Sequence, residues 1–154
     1  MKDRTPKSSS SRGMLDEKTL KTMIRDGGLE TILVVFPDMY GRLMGKRVTG
    51  HFFLDRILHD GMHACDYLLA SDMEMTPVPG YRFTSWEAGY GDVRLKPEMR
   101  TLRIASWLEK SAMIICDVYE EEQERLVRIA PRTMLRDQVG RSMEKGYVPL
   151  GATE

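Results

Sequence analysis

Three histidines, His51, His59 and His63, are the residues whose type best suits metal binding or proton transfer. His51 and His59 are eight positions apart, so both fall on a similar face of a helix. The sequence places no third or fourth ligand beside them, and Cys65 and Cys116 lack the spacing of a zinc site. These imidazoles therefore do not predict a metal centre.

The usual catalytic motifs are also absent from the sequence. There is no Gly-Lys-Ser/Thr phosphate loop and no Gly-x-Gly-x-x-Gly dinucleotide fingerprint. There is also no Gly-x-Ser-x-Gly nucleophile elbow. Residue types and spacing alone therefore indicate a domain with both helices and strands, and they do not indicate an activity.

Composition restricts the class of protein further. The chain has 154 residues, of which 42% are hydrophobic and 30% charged, and this balance suits one globular domain. Its 23 basic and 23 acidic side chains give no net charge, which argues against a nucleic-acid partner. No apolar run approaches the ~20 residues of a membrane span. Two cysteines form no disulfide framework, which indicates a reducing, cytoplasmic setting.

Capping residues mark three helices. Asp16 can cap a first helix over residues 16–26, and a second is predicted over 49–60. Pro131 opens the third helix, because the missing N–H costs nothing at the first helical position, and Gly146 ends it. The buried stripe of this third helix is predicted to consist of Met134, Leu135, Gln138 and Val139.

The apolar runs at residues 31–36 and 113–119 predict the first strands of two hairpins, and the chain is expected to return as a second strand in each. Residues 31–36 and 42–48 flank a Pro-Asp-Met-Tyr-Gly turn. Residues 113–119 and 126–129 flank an acidic turn. Because few strands are linked through helices, the sequence predicts an α+β fold with a mixed or antiparallel sheet.

The remaining segments are short strands, a long loop and two chain ends. Strands are expected over residues 63–69 and 92–95. Residues 76–91 between them are rich in Gly, Pro and aromatic side chains, and ordered loops of this length are often functional. Residues 1–13 are predicted to be a disordered tail. Residues 147–154 are predicted to begin a strand that is truncated at the end of the sequence.

Five segments follow one another in order over residues 29–154. They are Asp-Met-Tyr-Gly-Arg-Leu-Met-Gly-Lys-Arg-Val (38–48), Gly-Met-His-Ala-Cys-Asp-Tyr-Leu-Leu-Ala-Ser-Asp-Met-Glu-Met (61–75) with Pro-Val-Pro-Gly-Tyr (77–81), Gly-Asp-Val-Arg-Leu-Lys-Pro (91–97), Ile-Ile-Cys-Asp-Val (114–118) with Ala-Pro-Arg-Thr-Met-Leu (130–135), and Gly-Ala-Thr-Glu (151–154). Together they resemble the N-terminal domain of the glutamine synthetase family. The Pro-Val-Pro-Gly-Tyr loop resembles the divergent bacterial branch near the γ-glutamylpolyamine synthetases.

This resemblance implies a β-grasp domain over residues 14–146, with residues 147–154 as the truncated start of a catalytic domain. It implies part of a ligase that uses ATP and Mg²⁺ or Mn²⁺ to join glutamate to ammonia or an amine. It also implies a ring-shaped homo-oligomer, in which this domain completes the active site of a neighbouring subunit. The chain alone is then expected to be inactive and to bind no cofactor.

The resemblance also assigns roles to four residues. Asp72 falls where the family has an aspartate that binds and deprotonates the incoming ammonium. Asp66 is the alternative candidate for that role. Trp86 matches a loop tryptophan that packs near the nucleotide, although it could equally be an aromatic plug that holds the loop. Glu154 matches the first carboxylate of the metal-binding strand.

Two alternatives stay open on the sequence. The chain could be a stand-alone β-grasp module that binds or regulates a partner without catalysis. It could also come from a structural family member that keeps the ring and has lost activity. The acceptor amine and the number of subunits are not determined.

Overall fold

The computed structural model describes residues 13–87, 89–121 and 123–151 of the chain. Residues 50–60 form one helical segment, α2, whose central turn Phe53–Ile57 is π-helical. Two 3₁₀ helices span Asp66–Leu69 and Met99–Thr101. The other elements are α1 (Glu17–Arg25), β1 (Thr31–Pro37), β2 (Leu43–Thr49), β3 (Met62–Cys65), β4 (Asp92–Pro97), β5 (Arg103–Ile104), β6 (Ser111–Glu120) and α3 (Pro131–Glu144).

The strands of the described residues form one mixed sheet in the order β2-β1-β6-β4-β3. β1 and β6 pair in parallel, with Thr31 opposite Ser111, while the other neighbours are antiparallel. β5 lies off this path and pairs with β6 at Ala112 and Met113. The mixed sheet and the three main helical segments confirm the predicted α+β, β-grasp-like fold.

The core lies between the sheet and the helices. Alternate residues of β1 and β6 point into it, and the central strand β6 is buried along most of its length. α1 contributes Leu20 and Ile24, and α2 contributes Phe53 and Ile57, as their helical spacing predicts. Burial of these apolar faces stabilises the fold, because each fully buried large side chain contributes about 1.5–3 kcal/mol.

Two of the predicted strands are shorter in the structure. The strand predicted over 63–69 ends at Cys65, where the chain turns into the 3₁₀ helix Asp66–Leu69. In the second hairpin, Leu126 forms only an isolated bridge with Tyr119, because the chain then bends to reach Pro131. The backbone N–H of Val127 still donates to the carbonyl of Val118, so the hairpin is present in reduced form.

The predicted buried stripe of α3 is wrong. Met134 and Leu135 are exposed, and the buried residue of this helix is Thr133. α3 is instead held to the sheet by ion pairs from Arg132 Nε and Arg136 Nη2 to the buried carboxylate of Asp117, at 2.9 and 2.5 Å. Apolar spacing therefore did not identify the contact face, because charged side chains make the contact.

Few of the residues at the two ends of the chain are described, so the predictions made for the chain ends are tested only in part. Residues 147–151 are exposed and irregular, so the strand expected there is absent from its described part. Residues 1–12 and 152–154 lie outside the described residues. No helix in the described ranges is long and apolar enough to cross a lipid bilayer. The proposed domain boundaries stay predictions.

Candidate functional site

Asp72 lies in a tight turn shortly after the 3₁₀ helix Asp66–Leu69. Its Oδ1 accepts hydrogen bonds from the backbone N–H groups of Glu74 and Thr76, each at 2.9 Å. Its own N–H donates to the Thr76 carbonyl at 2.9 Å, and Met75 occupies the left-handed region with a φ of 67°. The turn is thus closed on itself, and Oδ2 makes no hydrogen bond within the described residues.

The Asp72 turn is also attached to the β1–β2 hairpin. Arg42 Nη2 donates to the carbonyl of Asp72 at 2.9 Å, and Nη1 donates to the carbonyl of Met73 at 2.8 Å. Arg42 was not among the residues predicted from the sequence to be functional, although it lies inside the first family-like segment. The available signal was its spacing of four residues from Asp38, which allows an ion pair across a tight turn.

Asp66 occupies a different environment, at the base of the long loop. Its side chain is buried, and Oδ1 accepts the hydroxyl hydrogen of Thr84 at 2.7 Å. Oδ2 accepts the N–H of Gly91 at 3.1 Å, and the N–H of Asp66 donates to the Gly91 carbonyl at 3.0 Å. Both carboxylate oxygens therefore bind the loop over residues 76–91, one at its middle and one at its end.

Replacement of Asp66 by alanine is expected to loosen the loop over residues 76–91. The change leaves the Thr84 hydroxyl and the Gly91 N–H without their acceptor, at a cost of about 1–3 kcal/mol. Faster hydrogen exchange of the backbone amides of Asp66 and Gly91 would measure this. Asp92→Ala is the matched control, because Asp92 is exposed at the start of β4. Unchanged exchange in Asp66→Ala would contradict the anchoring role.

Trp86 projects from the same loop and is 81% exposed. Its ring packs edge-on against Tyr90, with centroids 6.3 Å apart, and Tyr90 packs in the same way against Tyr67 at 5.5 Å. A cleft of about 250 Å³ runs beside Trp86 and is bordered by Ala70 and Val78. The backbone hydrogen bond between Val78 and Ala70 brackets the Asp72 turn, so Trp86 and that turn belong to one surface region.

No cluster of three or more His, Cys, Asp or Glu side chains suited to a metal ion occurs in the described ranges. His63 Nε2 lies 2.9 Å from Glu121 Oε1, which also accepts a hydrogen bond from Arg94 Nη2 at 3.0 Å. The hydrogen bond from Arg94 lowers the pKa of Glu121, which favours the charged carboxylate in its ion pair with Arg94. Glu154, the expected metal ligand, lies outside the described residues.

The two cysteines differ in exposure. Cys116 is buried in β6, and burial raises the pKa of its thiol to about 12. Its thiolate form is therefore rare at neutral pH, and Cys116 behaves as a small apolar core residue. Cys65 is exposed at the end of β3.

Comparison with known sequences identifies the class of protein. No family model matches the chain. It is 40% identical over 152 residues to a γ-glutamylethanolamide synthetase of Streptomyces coelicolor, covering 99% of this chain and 31% of that protein. It is 31% identical over 135 residues to a glutamate–isopropylamine ligase of a Pseudomonas species, covering 88% and 29%. Human lengsin is 26% identical over 152 residues, covering 96% and 28%.

Solved structures share the fold. The ADP complex of GmaS superposes with a TM-score of 0.61 at 23% identity, covering 82% of this chain and 26% of that one. A novel glutamine synthase homolog gives 0.61 at 16% identity, covering 76% and 27%. The sequence comparisons therefore make the chain a homologue of glutamine-synthetase-like amine ligases that matches one domain of them, consistent with the N-terminal domain that the five segments resemble. The chain spans about 30% of the length of the relatives named above.

Proposed function

We propose that this chain is the N-terminal domain of an ATP-dependent ligase that joins the side-chain carboxylate of glutamate to an amine nitrogen. The observation that carries the proposal is the 40% identity over 152 residues with a γ-glutamylethanolamide synthetase. A second relative is a glutamate–isopropylamine ligase, so both relatives are named for an organic amine. An organic amine is accordingly the proposed acceptor, with ammonia as the alternative.

Asp72 is the residue proposed to act on the amine. An ammonium group is attracted by a carboxylate and must lose a proton before its nitrogen can attack. Asp72 is half-buried and holds its turn through Oδ1, which leaves Oδ2 for a substrate cation. Both oxygens of Asp66 serve the loop instead. The geometry therefore favours Asp72 over Asp66 for this role.

The proposed partners are the catalytic domain of the same chain and neighbouring subunits of a ring-shaped homo-oligomer in the cytoplasm. In that assembly the Asp72 turn would complete the active site of the adjacent subunit. The exposure of the Asp72 turn and of Trp86 supports this arrangement, because side chains that complete another subunit's site must project outward.

The described residues fit only part of the cofactor set that the family implies. The exposed ring of Trp86 offers a face for stacking on a nucleotide base. The described side chains form no cluster that could hold Mg²⁺ or Mn²⁺. ATP would supply the phosphoryl group that makes the glutamate carboxylate a good electrophile.

The proposed function is tested with the protein encoded by the complete reading frame that contains this sequence. Purified protein with ATP, glutamate, Mg²⁺ and a panel of amines is expected to release ADP only when glutamate and an amine are both present. Mass spectrometry should identify a γ-glutamyl amide. Absence of any amide with ammonia or with the organic amines would contradict the proposal.

The isolated 154-residue chain is expected to release no phosphate above background under the same conditions. The reason is that one domain supplies too few groups to activate a carboxylate and deliver an amine. A colorimetric phosphate assay, with the full-length protein as positive control, measures this. Glutamate-dependent turnover by the isolated chain would show that the catalytic groups lie within it.

A further inference from the structure

Asp38 and Arg42 form a closed unit at the turn between β1 and β2. Asp38 is only 3% exposed, and its Oδ1 accepts hydrogen bonds from the N–H groups of Tyr40 and Arg42, at 2.9 and 2.8 Å. Its Oδ2 accepts a hydrogen bond from Arg42 Nε at 2.6 Å. A carboxylate fixed by its own turn therefore fixes the guanidinium of Arg42.

The other edge of the same guanidinium reaches a segment about 30 residues further along the chain. Its two terminal nitrogens donate to the consecutive carbonyls of Asp72 and Met73, at 2.9 and 2.8 Å. Arginine suits this position because its donors form a rigid planar fork. Lysine has the same charge, but its single ammonium cannot contact a carboxylate and two carbonyls in this geometry.

The hydrogen bonds within the Asp72 turn determine its shape, but they do not fix its position relative to the β1–β2 hairpin. The bonds to Glu74 and Thr76 are local, so they would move with the turn. The bonds from Arg42 connect the turn to the β1–β2 hairpin and hence to the sheet. We propose that Arg42, oriented by Asp38, is a positioning residue that holds the Asp72 carboxylate where it receives the amine. This inference rests on the proposed function.

Arg42→Lys in the full-length protein tests the proposal. The kcat/KM for a cationic alkylamine is expected to fall about 10- to 100-fold, because misplacement of a reacting group by about 1 Å has an effect of that order. Hydroxylamine, which is largely uncharged at neutral pH, needs less help from a carboxylate, so its rate should fall much less. Arg125→Lys is the matched control, because Arg125 also pairs through Nε with a carboxylate, that of Glu120 at 2.7 Å.

A double-mutant cycle separates positioning from general damage to the fold. In an Asp72→Asn background, Arg42→Lys should cause little further loss with the alkylamine, because the group that it positions no longer acts. Equal loss with alkylamine and hydroxylamine, or full additivity with Asp72→Asn, would overturn the inference. An unchanged alkylamine rate in Arg42→Lys would also overturn it.

Carbonyl chemical shifts keep the inference testable if the full-length protein forms no amide. In the 154-residue chain, the backbone carbonyl ¹³C shifts of Asp72 and Met73 should change in Arg42→Lys, because these two carbonyls lose the donors Nη2 and Nη1. The carbonyls of β6 serve as the internal reference. Changed shifts with no amide synthesis would contradict the proposed function and support the tether between hairpin and turn, whereas unchanged shifts would refute the tether itself.

Discussion

Asp72→Asn in the full-length protein is expected to lower kcat/KM for a cationic amine by about 10²- to 10⁴-fold, the usual contribution of a positioned proton acceptor. Asparagine keeps a side-chain oxygen that can accept from the N–H groups of Glu74 and Thr76, so the turn should persist. What is lost is the negative charge that attracts the ammonium and the site that takes its proton. Steady-state kinetics with a cationic alkylamine measure the loss of both the charge and the proton acceptor. The same kinetics with hydroxylamine, which is largely uncharged, measure the loss of the proton acceptor alone.

A matched control for Asp72→Asn is Asp16→Asn. Asp16 Oδ1 accepts from the N–H of Thr19 at 2.7 Å as the N-cap of α1, and asparagine is an equally good cap. The control therefore removes the same charge from a similar backbone-bonded carboxylate at another place in the fold. An alkylamine rate in Asp72→Asn equal to that of the control would remove Asp72 from the proposed site and reopen the assignment to Asp66.

Gly45→Ala is expected to destabilise the isolated chain by about 3 kcal/mol, the upper part of the usual range for overpacking. Gly45 lies opposite Val35 in the β1–β2 pair, and its φ of 155° is one that side chains rarely adopt. A Cβ there would lie 2.1 Å from the Val34 carbonyl oxygen and 2.8 Å from the Val35 Cα. Those backbone atoms belong to a buried strand, so the strand pair itself must separate.

Equilibrium urea unfolding compares Gly45→Ala with Gly41→Ala in the same hairpin. Gly41 has a φ of 80°, but a Cβ there would meet nothing within 4 Å. Its replacement should therefore cost only the conformational strain, about 1 kcal/mol. A similar loss for both variants would mean that β2 shifts away from β1 at little cost, and the close approach at Gly45 would then not limit stability.

The hairpin and the core faces of α1 and α2 were predictable because they depend on local signals. A turn rich in Pro, Asp and Gly directly after the β-branched run 31–36 indicates a hairpin, and Leu20 with Ile24 follows the helical period. The order of the strands was not predictable, since the parallel pairing of β1 with β6 joins segments about 80 residues apart. The face of α3 was missed because Arg132 and Arg136 hold it to Asp117.

The candidate site, like the fold, was predictable from the sequence only in part. The family resemblance of the surrounding segments was enough to predict Asp72, Asp66 and Trp86 as candidate site residues. Residue type could not distinguish Asp72 from Asp66, because both are aspartates. The difference lies in the hydrogen-bond partners, which for Asp66 are Thr84 and Gly91. The loop brings these partners to Asp66 from 18 and 25 residues away, and no local pattern encodes such a contact.

The sequence by itself determined the family, the α+β class and the short list of acidic and aromatic candidates, because each depends on residue type and local order. Only the tertiary structure showed which aspartate has a carboxylate oxygen without a hydrogen bond in the described residues, and that Arg42 ties the Asp72 turn to the hairpin. The physical reason is that a side chain's availability depends on its neighbours in space. Those neighbours come from strands and loops that are distant in the chain.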